Sequence, residues 1–152
     1  MQRIISPWIS RLFVLFMAGL AATGLMQMPL AKRYYVTTLP GLGWTGDFYF
    51  VHKLHYIFAA LLLFLLGVVV VTWFLYWRNR VTLTGLGGVR CVLVGGLILS
   101  GGFRVYRNIP DVTFDPTVVL LIEWVHLGLF IVMGLVACLA LVQGRSRYMR
   151  GR

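Results

Sequence analysis

Apolar positions fall in four long runs, at about residues 12–29, 48–77, 89–106 and 117–142, and the segments between them carry turn-forming and charged residues. A run of about 20 apolar residues is the length at which a helix crosses ~30 Å of hydrocarbon. The pattern predicts an all-α integral membrane protein with a four-transmembrane-helix bundle. The second and fourth runs exceed a minimal span, so they should tilt or project beyond the bilayer. A single membrane domain over residues 1–152, with an outer loop at 30–47, accounts for the chain.

Composition supports that class. Of 152 residues, 60% are hydrophobic and 12% charged, with a mean hydropathy of +0.87. A soluble domain of this length has no interior large enough to hide so much apolar surface. The first run follows a basic N-terminus, as a secretory signal does. Its apolar stretch is longer than a signal core, and Gln27-Met28-Pro29-Leu30 is a poor small-residue cleavage site, so the helix is expected to be retained.

Charge predicts orientation. The N-terminal stub (Arg3, Arg11), the second connection (Arg78, Arg80, Arg90) and the tail (Arg145, Arg147, Arg150, Arg152) hold nine basic and no acidic residues. The first and third connections hold five basic residues (Lys32, Arg33, Lys53, Arg104, Arg107) and three acids (Asp47, Asp111, Asp115). The positive-inside rule then puts both termini in the cytoplasm. The net charge of +10 reads as this topology signal plus attraction to anionic lipid headgroups, not as a nucleic-acid surface. Cys91 and Cys138 lack the spacing of a zinc site, a covalent haem or an iron–sulfur cluster, and read as small buried apolar residues.

The three histidines, His52, His55 and His126, stand in or at the mouth of apolar runs, where an ionisable side chain is costly. His55 lies seven residues after Phe48 and His126 eight after Val118. At ~1.5 Å per residue both sit ~10–12 Å below the outer helix ends. Two imidazoles at matched depth on parallel helices suit the axial positions of one haem iron. A hydrogen bond to a neighbouring carbonyl is the bland alternative. Zinc or copper would need a further ligand at that depth.

His52 precedes His55 by three residues, and Glu123 precedes His126 by three, so the two form a second polar layer nearer the surface. That layer has three candidate roles: bonding to each other or to a haem propionate, binding a quinone headgroup and its protons, or supplying the axial ligand from His52 with His55 outside it. Arg104, Arg107 and Lys53 stand where haem propionates would need cations, or they snorkel to the interface. Tyr34, Tyr35 and Trp44 are expected to lie at headgroup level in a loop folded over the outer mouth. No internal repeat is evident.

Thr23-Gly24, His52-Lys53-Leu54-His55, Gly101-Gly102-Phe103-Arg104-Val105-Tyr106-Arg107-Asn108 and Glu123-Trp124-Val125-His126 together resemble the small cytochrome b subunits of bacterial membrane-bound formate dehydrogenases and nickel–iron hydrogenases. The resemblance implies a multi-pass subunit of the bacterial inner membrane. It would hold haem b and pass electrons between redox-enzyme, cytochrome or iron–sulfur subunits on the outer face and a quinone, menaquinone or ubiquinone. It also implies His55 (or His52) and His126 as ligands of the outer haem. The family's second haem takes a ligand from the first helix and another further along the fourth. Here the first helix has no histidine, and the position fourteen residues after His126 is Ala140. One haem is therefore expected, with Met17 and Met133 conceivable only as substitute ligands. No substrate-level catalytic constellation is present. A haem-free membrane anchor and a small proton-coupled transporter remain as other readings.

Overall fold

In the computed structural model, which describes residues 6–28, 34–144 and 148–151, most of the described residues are helical. Among the described residues, four helices are long and apolar enough to cross a membrane. Arg3, Lys32, Arg33, Arg145, Arg147 and Arg152, and the opening of the outer loop at 29–33, lie outside the described residues. Two compact units emerge, 1–78 and 79–152, each a helical hairpin.

The first hairpin joins α1 (Pro7–Gln27) to α2 (Phe48–Thr72). Helix α1 starts earlier than the apolar run predicts because Pro7 takes its first turn, where a missing N–H costs nothing. The chain between the helices forms two short 3-10 turns, Val36–Thr38 and Gly43–Gly46. Trp44 from the second turn meets the Phe50 ring edge-on at 5.8 Å, tying the loop to the first turn of α2. Tyr34 and Tyr35 are exposed. Asp47 caps α2, its carboxylate accepting the Phe50 N–H at 3.0 Å. The helix ends in a π turn, Trp73–Trp77, closed by the Arg78 N–H donating to the Trp73 carbonyl at 2.8 Å. The expected run of 48–77 therefore holds, with its last turn widened.

The second hairpin joins α3 (Gly85–Tyr106) to α4 (Pro116–Val142). Pro116 opens α4 as predicted, and Asp115 caps it by accepting the Thr117 N–H at 2.8 Å. That bond holds the exposed Asp115 carboxyl below its usual pKa.

The all-α expectation misses one element. Strand β1 (Val81–Leu83) pairs antiparallel with β2 (Met149–Gly151), Thr82 opposite Arg150. This ribbon clasps the tail onto the start of α3. The Thr84 backbone N–H and hydroxyl both donate to the Tyr148 carbonyl, at 3.0 and 3.3 Å, while the same hydroxyl accepts the Gly87 N–H at 2.9 Å. A side chain at Gly87 would collide with the Tyr148 carbonyl. Arg90, read from sequence as a loop charge, is only 5% exposed. Its Nε–H donates to the Leu86 carbonyl at 3.2 Å, and its guanidinium stacks 3.9 Å from the Tyr148 ring centroid.

The two cysteines also depart from expectation. Both are free thiols on exposed faces of α3 and α4. The neighbouring packed positions are taken by Arg90 and Ala140 instead.

Candidate functional site

Residue pairs across each hairpin fix its register. In the first, Gly19 faces Phe58, Thr23 faces His55 and Gln27 faces His52. In the second, Gly96 faces Leu129, Ser100 faces His126 and Arg104 faces Glu123. One number rises as the other falls, so both hairpins are antiparallel.

At the first histidine, the Thr23 hydroxyl donates its proton to the Gly19 carbonyl at 2.7 Å, one helical turn back. A hydroxyl has one proton to give. With that proton on the carbonyl, its oxygen is left to accept from the His55 ring, whose Nδ1 stands 2.9 Å away. In that arrangement His55 would carry its proton on Nδ1 and its lone pair on Nε2. Thr23 is 3% exposed, so the anchor sits in the packed seam.

At the second histidine the same chemistry recurs. The Ser100 hydroxyl donates to the Gly96 carbonyl at 2.8 Å, and the His126 Nδ1 lies 2.8 Å from its oxygen. The same arrangement would place the His126 proton on Nδ1 and its lone pair on Nε2. An imidazole that binds a metal through one nitrogen commonly donates the other N–H to an anchoring acceptor, which sets both tautomer and ring orientation. Both histidines fit the donor chemistry of an axial ligand. Among the described residues, no three His, Cys, Asp or Glu side chains gather as a binding group for a bare metal ion.

The outer layer differs between hairpins. His52 donates from Nδ1 to the Gln27 amide oxygen at 3.0 Å, and its ring stacks on Phe48 at 5.5 Å and leans on Tyr56 at 4.4 Å. In the second hairpin Glu123 receives two arginines, Arg104 at 3.2 Å and Arg107 at 2.8 Å. The structure thus joins Glu123, which the sequence set in the polar layer, to Arg104 and Arg107, which it set as propionate cations. One carboxylate against two guanidiniums leaves this cluster with a net positive charge. Lys53 is exposed on α2. Of the positions relevant to a second haem, Met133 is 6% exposed and Ala140 fully buried, both filling the hairpin core.

Sequence reasoning did not find Thr23, Ser100 or Gln27 as partners of the histidines. The usable signal was a glycine followed four residues later by a hydroxyl residue and a second glycine, present in α1 and again in α3. Compared with known proteins, the chain matches no protein-family model, no curated protein and no solved structure.

Proposed function

We propose that the protein is a multi-pass membrane subunit that holds one haem b and relays electrons between a redox partner on the outer face and the membrane quinone pool. In this reading the helices form one bundle with both termini cytoplasmic. His55 and His126 are the axial ligands. The observation that carries the reading is the pair of matched contacts, the Thr23 hydroxyl 2.9 Å from His55 Nδ1 and the Ser100 hydroxyl 2.8 Å from His126 Nδ1, which together orient both imidazoles alike. Anchoring of this kind sets the tautomer and ring orientation of a metal-binding imidazole, and its recurrence in both hairpins is what favours that role over packing alone.

The haem supplies one-electron chemistry; the chain's residues position it and set its surroundings. Thr23 and Ser100 hold the imidazoles in a fixed orientation. Arg104 and Arg107, in excess over Glu123, supply a positive rim suited to a propionate. His52, stacked between aromatic rings with Nδ1–H committed to Gln27, is the chain's candidate for a quinone headgroup contact. Inner-membrane placement in a bacterium, and iron–sulfur or cytochrome partners, belong to the same proposal.

Optical difference spectra of His52→Ala, His55→Ala and His126→Ala in the assembled protein test it. Loss of a b-type signal in His55→Ala and His126→Ala, with retention in His52→Ala, is the expected result. A signal that survives both ligand substitutions would overturn the proposal in favour of a haem-free anchor.

A further inference from the structure

The two hairpins carry the same module in divergent letters. On the first helix of each, Gly19, Thr23, Gly24 and Gln27 correspond to Gly96, Ser100, Gly101 and Arg104, at identical spacing. On the second, His52, His55 and Phe58 correspond to Glu123, His126 and Leu129, again at identical spacing.

The geometry repeats along with the letters. A Cβ built on Gly24 would stand 3.5 Å from His55 Cε1 and 3.9 Å from its Nδ1; one on Gly101 would stand 3.5 and 3.9 Å from the same atoms of His126. A Cβ on Gly19 would meet the Phe58 ring at 2.8 Å, and one on Gly96 would meet Leu129 at 3.0 Å. Each hydroxyl also shares its proton between two carbonyls: Gly19 and Leu20 for Thr23, Gly96 and Leu97 for Ser100. Seven corresponding positions with matching contacts on unrelated flanking sequence are not expected from two independent hairpins.

We infer that the chain is an internally duplicated two-helix unit, in which Thr23 and Ser100 are equivalent positioning residues that lock His55 and His126 into the same Nδ1–H tautomer. The correspondence separates the two neighbouring histidines of α2. His55 is the counterpart of His126, whereas His52 is the counterpart of Glu123, a carboxylate already held by two arginines. The repeated part is the inner pair of hydroxyl and imidazole; the outer pair has diverged from neutral in one hairpin to charged in the other.

The inference relies on the haem reading only for what the Nε2 atoms bind, and the tautomers can be read without haem. The full chain, labelled with 15N-histidine in lipid nanodiscs at a pH above the ordinary imidazole range, gives signals from three rings. His52→Ala and His55→Ala assign them. Wild type should show Nδ1–H at His55 and His126. Thr23→Val should disturb only His55, Ser100→Ala only His126, and the hydroxyl-keeping Thr23→Ser and Ser100→Thr should restore the wild-type signals. In haem titrations of the same proteins, Thr23→Val and Ser100→Ala should each weaken binding by about 10–100-fold. An Nε2–H tautomer at either wild-type ring, or a ring unmoved by loss of its hydroxyl, overturns the inference. Tautomers as expected in a chain that takes up no haem would leave the positioning residues standing and remove the haem reading alone.

Discussion

Replacing Tyr148 by leucine tests the tail clasp. Arg90 is 5% exposed, and its guanidinium lies 3.9 Å from the centre of the Tyr148 ring. A cation–π contact in a desolvated setting is worth about 2 kcal/mol. Removing the ring also loosens the cover over a buried cation, which adds about 1 kcal/mol of poorer polar satisfaction. Tyr148→Leu should therefore destabilise the second hairpin by about 2–3 kcal/mol, whereas Tyr148→Phe, which keeps the ring, should retain most of the contact. Unfolding in mixed micelles measures the difference, and proteolysis of the tail gives a local reading. The pH dependence supplies a second check. Burial pushes the Tyr148 phenol above its usual pKa, against the opposing charge of Arg90. For a group raised in the folded state, the stabilising contribution is fully present below the unfolded pKa and lost as pH rises through the folded one. The clasp should loosen above about pH 10 in the wild type, and this alkaline loss should be missing in Tyr148→Phe. A Tyr148→Leu protein as stable as wild type, with its tail equally protected, would refute the reasoning.

Two further substitutions probe the hairpin seams. Gly19→Ala places a methyl 2.8 Å from the Phe58 ring and should cost about 1–3 kcal/mol by overpacking, while Gly24→Ala, at 3.5 Å from His55, should be tolerated; unfolding of the pair against wild type decides it. Glu123→Gln removes both arginine contacts, which are 22–35% exposed and therefore screened, so the expected loss is about 1 kcal/mol with haem retained. Haem lost in Glu123→Gln would contradict the placement of this layer outside the ligand set.

The long helices were legible because each is a continuous apolar run, and Pro116 and Asp115 marked the start of α4 with known N-terminal chemistry. The ribbon was not. Its strands are three residues each, one before the second hairpin in sequence and one after it, so their pairing has no local sequence signal. Arg90 was misplaced for the same reason, since the ring that covers it comes from the tail. His52 and His55 could not be separated from α2 alone, being three residues apart on one face. The opposing helix distinguishes them, because interhelical register brings Thr23 to one and Gln27 to the other. The duplication escaped notice because only glycine and histidine letters survive unchanged; what repeats is hydroxyl, small residue and spacing.

Haem stoichiometry tests the central claim most directly. A pyridine haemochrome assay on the purified, fully assembled protein, with haem assigned to this chain, should return one b-type haem per chain. None in the assembled wild type would contradict the account, and two would contradict its single ligand pair.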